Sequence, residues 1–370
     1  MTDNGPLGLG LIGCGAFGMF CLDAFSALDD VRIAAVADVR REAADELAGA
    51  FSVPACYDPT DLIARDDVQI VHVATPPSTH HDLVLAAARA GKHVLCEKPL
   101  ACSVADAEEM LAAADDAGTI APVNFVLRYN PTVDCVKAVI DSQVMGKVLS
   151  GRLTNCAGDT PLGPDHWFWD KALSGGIFIE HGVHFFDLYS HWLGPGRVLS
   201  AHAERREGTG QEDRVMCTLG YDSGAVASHY HGFDQMALMD RTDHRLVCEA
   251  GDIRADGWIP LSLSVDAAVD DEGAEALRTL CPGCEVEVLQ TYTGPPTAGR
   301  GRQRRVTQRI RLTHTPQPDK QTLYADSVRA LLADQVAFIR NSSHQRRITE
   351  ANGLAAVALA ERAAALAEGT

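Results

Sequence analysis

The chain has 370 residues, 46% hydrophobic and 22% charged, which is ordinary for a globular protein but too long for one simple core. No run approaches the roughly 18 apolar residues of a membrane-spanning helix, and the first residues lack a basic stretch followed by an apolar one, so a cytoplasmic protein with no membrane partner is expected. The net charge of −18 disfavours nucleic acid, and eleven cysteines scattered from Cys14 to Cys284 do not form a disulfide scaffold.

In chain order, Leu7–Ile12 reads as a strand, Phe17–Leu28 as a helix, Val31–Ala37 as a strand and Arg40–Ala50 as a helix. Gln69–Ala74 is a strand, Thr79–Ala90 a helix, His93–Cys96 a strand, Ser103–Ala117 a helix and Ile120–Phe125 a strand. Near-continuous apolar strands alternating with helices predict an α/β domain whose parallel sheet is covered on both faces. The rhythm then changes. Pro131–Ser142 is helical, and Val148–Cys156, Val198–Arg205, Arg214–Tyr221, Ala225–His231, His244–Cys248 and Gln303–Leu312 read as strands of a mostly antiparallel sheet. Thr293–Arg302 is a loop, and Leu323–Arg340 and Glu350–Glu368 are closing helices. The expected boundary falls at Leu127, giving domains of residues 1–127 and 128–370.

The first strand runs directly into G-x-G-x-x-G at Gly13, Gly15 and Gly18. Gly13 permits a tight turn, Gly15 lets backbone approach a pyrophosphate, and Gly18 lets helix pack close on strand. The helix that opens there offers N–H donors and a favourable dipole to an anion. Asp38 ends the second strand about 20 residues on, where a carboxylate accepts hydrogen bonds from the adenosine ribose. The pattern is that of a Rossmann dinucleotide-binding domain. Asp38 argues for NAD, while Arg40 and Arg41 leave NADP open because arginine pairs well with phosphate.

Further along stand Ala74–Thr75–Pro76–Pro77–Ser78–Thr79–His80, then Glu97–Lys98–Pro99 after a strand, then Ser174–Gly175–Gly176 leading to Glu180–His181–Gly182–Val183–His184–Phe185–Phe186–Asp187. With these motifs the sequence resembles the glucose–fructose oxidoreductase, inositol dehydrogenase and rhizopine-catabolism (Gfo/Idh/MocA) family. The resemblance implies a Rossmann domain followed by an α+β domain with a large, mostly antiparallel open sheet. It implies a homodimer or homotetramer formed through that sheet, and hydride chemistry without a metal. It also implies a cofactor set of Gly13, Cys14, Gly15, Ala16, Phe17 and Gly18, then Asp38, Val39 and Arg40, then Thr75, Pro76, Pro77 and His80, and finally Glu97, Lys98 and Asn124. The Lys98–Pro99 bond is commonly cis in the family.

Hydride transfer at a carbinol needs the hydroxyl to lose a proton and the resulting oxyanion to be stabilised. Lys98, at the carboxyl end of a strand, suits the second task; His184, with an ordinary pKa of about 6.5, suits the first. Glu180 precedes His184 by four residues and would share its helical face. The family usually has Asp there, so Glu180 is left to orient His184, to touch substrate or to set specificity. Arg128, Trp167, Trp169 and His181 are candidate substrate-side groups, and Asp187 a supporting one.

Cys281–Pro282–Gly283–Cys284 lacks a second pair for zinc and reads as a loop. The arginine run from Arg300 to Arg311 reads as a solvated strand face, or as a site for an acidic patch or phosphate. The expected activity is an NAD-dependent dehydrogenase, NADP being possible, acting on a ring hydroxyl or ketone of a sugar, cyclitol or aminosugar. The acidic balance favours a cationic, aminoglycoside-type substrate. The competing readings are a non-catalytic NAD-sensing regulator and an enzyme that uses tightly held NAD for internal redox in elimination or epimerisation.

Overall fold

The computed structural model describes residues 5–158, 162–294, 297–299, 302–315 and 319–369. The elements are β1 (Leu7–Ile12), α1 (Ala16–Phe25), β2 (Val31–Ala37), α2 (Arg41–Phe51), β3 (Ala55–Cys56), α3 (Pro59–Ile63), β4 (Ile70–Val73), α4 (His80–Arg89), β5 (His93–Cys96) and α5 (Val104–Asp116). They continue as α6 (Pro131–Ser142), β6 (Val148–Gly158), α7 (Lys171–Ser174), a π-helical turn at Phe178–Gly182, α8 (Val183–Leu193), β7 (Gly196–Arg205), β8 (Glu212–Tyr221) and β9 (Val226–Gln235). Then come β10 (Arg241–Cys248), β11 (Gly251–Asp256), β12 (Ser262–Val269), α9 (Asp271–Leu280), β13 (Glu285–Thr291), β14 (Thr297–Gly299), β15 (Arg302–Arg304), β16 (Gln308–His314), α10 (Lys320–Arg340) and α11 (Glu350–Glu368).

Two compact units result. One comprises Met1–Tyr129, Pro164–Asp187 and Tyr324–Ala364; the other comprises Asn130–Gly163, Leu188–Leu323 and Ala365–Thr370. The first holds a five-stranded sheet in the order β3-β2-β1-β4-β5, its named pairs all parallel. Leu9, Leu11, Val36, Val71 and Val73 are fully buried, as both-faces-covered strands require. Strand order reverses between β1 and β4, and the carboxyl ends at such a switch point are where open α/β sheets hold their ligands. Gly13, Asp38, Ala74 and Glu97 lie directly after β1, β2, β4 and β5.

The expected strand Ile120–Phe125 is reduced to one bridge, Cys96 to Val123. The segment does run beside β5, with Cys96 N–H donating to Pro122 O at 3.0 Å and Asn124 N–H to Cys96 O at 2.8 Å. Pro122 has no N–H, so the ladder cannot continue through it. α5 begins after the expected cap: the Ser103 hydroxyl accepts from Asp106 N–H at 3.1 Å.

The second unit carries a nine-stranded sheet, β13-β16-β12-β11-β10-β6-β9-β8-β7, antiparallel except at β6–β9. Leu153, Leu246, Ile253, Val265 and Ile310 are buried on one face, and their sequence neighbours alternate toward the other. β11, β12, β13 and α9 were not expected. β12, Ser-Leu-Ser-Val-Asp-Ala-Ala-Val, alternates through its first five residues, but its small residues hide the signal. The expected strand Gln303–Leu312 is divided: β15 pairs with β14 as a hairpin, and only β16 joins the large sheet. The expected loop Thr293–Arg302 contains β14 and lies partly outside the described residues, as does Arg300. No helix among the described residues is long and apolar enough to cross a membrane.

Candidate functional site

The glycine loop has the stereochemistry its spacing implies. Gly13 has φ +102°, and a Cβ there would lie 2.3 Å from Ala74 O. A Cβ on Gly18 would strike Gly13 O at 2.2 Å, so helix and strand approach as only glycine allows. A Cβ on Gly15 would meet nothing within 4 Å. That open space, at the uncapped N-terminus of α1, fits a pyrophosphate approached by backbone. Burial pushes the Cys14 thiol up to about 12, and neighbouring Asp38 adds to this, so Cys14 stays protonated.

Asp38 accepts from Cys14 N–H at 2.9 Å and Arg40 N–H at 2.8 Å. The Arg40 guanidinium also forks onto it at 3.1 and 3.0 Å. Burial presses the carboxyl upward, but the Arg40 side chain and these two N–H groups outweigh it and hold the pKa below its ordinary value. Val39 is exposed beside them. The Gly13–Gly18 loop and Asp38 therefore fit NAD, and the Arg40 guanidinium is engaged by Asp38.

Glu97, Lys98 and Pro99 follow β5, and the Lys98–Pro99 peptide is cis. The Lys98 ammonium donates to Glu180 O at 3.0 Å and to the Glu180 carboxylate through a close ion pair. Glu180 sits in the π-helical turn that opens α8; such turns are rare and recur at functional sites. Gly175 and Gly176 precede it with φ +81° and +91°, conformations that favour glycine. Glu180 was expected to share a helical face with His184; its ion-pair partner is instead Lys98. His184 lies in the first turn of α8, buried, with His181 edge-on at 6.0 Å. Burial and the Lys98 charge push His181 down to about 3, so its ring stays neutral.

Several expected contacts are spent elsewhere. Arg128 is buried and forks onto Asp187 at 2.8 and 2.7 Å, so its guanidinium is committed to a structural ion pair. Asn124 donates to Glu97 Oε1 at 2.7 Å, and His72, from the middle of β4, contacts the same oxygen at 3.0 Å. His80 is fully buried, with both ring nitrogens on backbone carbonyls of Thr75 and Pro99. Thr75, Pro76 and Pro77 form the turn before α4. Trp167 and Trp169 flank buried Phe168 in a short turn, and both are half-buried. His72 was missed; a lone histidine in the apolar run Ile70–Val73 was its signal. Cys21, His72 and Glu97 place ligand atoms within 4.8 Å of one another. An Asn124 N–H points among them and burial pushes the Cys21 thiol well above its ordinary pKa, both against a cation. Cys281 and Cys284 close a turn after α9. Of the arginine run, Arg309 and Arg311 pair with Asp266.

Two family models match: "Oxidoreductase family, NAD-binding Rossmann fold" over residues 7–125, and "GFO/IDH/MocA C-terminal domain" over residues 133–254. Myo-inositol 2-dehydrogenase of Thermotoga maritima is 30% identical over 242 residues, 61% of this chain and 70% of that protein. D-xylose 1-dehydrogenase (NADP(+)) 2 of Haloferax volcanii is 30% identical over 243 residues, 64% and 74% of the two chains. Among solved structures, levoglucosan dehydrogenase with NADH and levoglucosan superposes with a TM-score of 0.79 at 22% identity, covering 98% of each chain. GenD2 from gentamicin A biosynthesis, in complex with NAD, gives 0.75 at 22% identity, covering 98% and 95%. The chain belongs to the Gfo/Idh/MocA family of NAD-binding oxidoreductases.

Proposed function

We propose that this oxidoreductase transfers a hydride between a nicotinamide and a ring hydroxyl or ketone carbon of a sugar, cyclitol or aminosugar. The observation that carries the reading is the Lys98–Glu180 pair, which brings the Glu97–Lys98–Pro99 turn against the segment leading to His184. An ammonium has three donors. Two are directed at Glu180, which leaves one for a substrate oxygen. In that role Lys98 stabilises the oxyanion that develops as the hydroxyl is deprotonated. His184 accepts the proton and returns it in the reverse direction. Glu180 orients the ammonium and offsets its buried charge. NAD, held by residues 13–18 and Asp38, supplies the hydride acceptor.

The net charge of −18 favours an amino-bearing ring over a phosphorylated one. Purified protein with NAD or NADP should reduce cofactor in the presence of one ring class from a panel of inositols, hexoses, sugar phosphates and aminoglycosides. Equal turnover of phosphorylated and amino-bearing analogues would remove the preference, and NADH binding without any turnover would favour the regulator.

The partner face of the large sheet supports self-association. Arg152, Arg245 and Arg254 lie in register on β6, β10 and β11, each paired with Asp243 or Asp252 beside it. Leu149, Val226 and Val247 are exposed on β6, β9 and β10. Such an alternating face is complementary to a second copy of itself.

A further inference from the structure

His72 sits in β4 with no exposed surface, between the buried residues Val71 and Val73. A polar ring in such a strand is costly unless it is hydrogen-bonded. Its Nε2 lies 3.0 Å from Glu97 Oε1, and its Nδ1 is buried beside the Phe25 ring without a hydrogen-bond partner. A carboxylate oxygen only accepts, so the ring donates through Nε2. Asn124 Nδ2 donates to the same oxygen at 2.7 Å. The Glu97 N–H donates to Val73 O at 2.9 Å. Backbone and side chain of Glu97 are therefore both tied to β4.

Both side-chain donors fall on Oε1. Among the described residues none reaches Oε2, and the Glu97 side chain is 8% exposed. Lys98, next in the chain, is turned to Glu180. Burial, with the Glu97 charge adding to it, holds the Cys21 thiol and the Tyr324 hydroxyl well above their ordinary pKa, so both stay neutral. Glu97 follows β5 while Asp38 follows β2, on opposite sides of β1 in the strand order β3-β2-β1-β4-β5. A dinucleotide whose adenosine ribose meets Asp38 and whose pyrophosphate meets Gly13–Gly18 crosses the switch point toward β4 and β5 with its nicotinamide riboside. That half carries donors that an open carboxylate oxygen can accept, the ribose hydroxyls and the carboxamide N–H groups.

We propose that His72 is a positioning residue for the cofactor, locking Glu97 Oε1 so that Oε2 is presented to the nicotinamide riboside. The role depends on cofactor binding and not on the parts given to Lys98 and His184, since it is read in binding alone. His72→Leu keeps an apolar side chain in β4 and removes the donor, while His72→Gln restores an N–H. By isothermal titration His72→Leu should bind NADH about 10-fold more weakly than the wild-type, the size of one charge-assisted hydrogen bond. It should bind ADP, which lacks the nicotinamide riboside, as the wild-type does. His72→Gln should recover most of the NADH affinity. ADP-ribose then names the donor: weakened as NADH is, it assigns the ribose hydroxyls; unchanged as ADP is, it assigns the carboxamide. Wild-type affinity for NADH in His72→Leu, an equal loss for NADH and ADP, or no recovery in His72→Gln overturns the proposal. If His72→Leu does not fold, the wild-type decides. In protein labelled at its histidine nitrogens, the His72 Nε2 NMR signal should move on adding NADH and not on adding ADP, and movement with both or with neither overturns it.

Discussion

Arg40 forks its guanidinium onto both oxygens of Asp38. Its side chain is 63% exposed while Asp38 is 7% exposed, so the guanidinium is free to swing and the carboxylate is not. Arg40→Ala should remove the group best placed for a 2′-phosphate and leave Asp38 to the ribose hydroxyls. The ratio of NAD to NADP affinity should rise by about 10-fold, the size of one charge-assisted hydrogen bond. Isothermal titration with each cofactor reads this, and an unchanged ratio refutes it. Glu180→Gln, which keeps the length and removes the charge, leaves the buried Lys98 ammonium without its counter-charge. A thermal-melting comparison should show it destabilised by about 3 kcal/mol, the cost of breaking a buried pair, with slower turnover as well. Stability and rate like the wild-type would show that Lys98 does not depend on this pair.

The strand ends and the π-helical turn decide how much of the site could be read beforehand. The glycine spacing and Asp38 follow from local chemistry, and β1, β2 and β5 were legible to the residue because apolar runs between turn signals leave little choice. Lys98, Glu180 and His184 were legible only through the resemblance of two distant segments. That Glu180 pairs with Lys98 was not legible, since a regular helix would aim it at His184 and the π-helical turn changes the angular offset. Arg128 was a candidate substrate-side group; its bidentate partner, Asp187, lies 59 positions away, beyond the reach of local spacing. His72 and His80 are both fully buried; the apolar run around His72 signals this, whereas nothing in the spacing of α4 distinguishes His80 from a surface histidine. The missed strands β11 and β13 carry polar residues on one face and turn-like neighbours, which weakens the period-two signal.

Across the molecule, buried neutral histidines make stability depend on acid. Burial and Lys98 push His181 down to about 3, and burial alone does the same to His244. The folded chain leaves these rings unprotonated while the unfolded chain protonates them below about pH 6.5, so stability falls as pH drops from 6.5 toward 3. At pH 5 each histidine should cost roughly 2 kcal/mol. Urea midpoints at pH 7 and pH 5 test this, and an equal or higher midpoint at pH 5 contradicts it. The sheet face makes a separate prediction. Arg245→Glu should weaken self-association, visible as a shift toward monomer in native mass spectrometry, while a wild-type protein that is monomeric at micromolar concentration would refute the proposed face.

The most direct test of the catalytic account compares wild-type and Lys98→Ala in two assays, cofactor reduction with the ring alcohol found active and NADH binding by fluorescence. Lys98→Ala should lose at least about 10²-fold in rate while binding NADH nearly as the wild-type does. Turnover near the wild-type rate in Lys98→Ala would contradict the role given to Lys98.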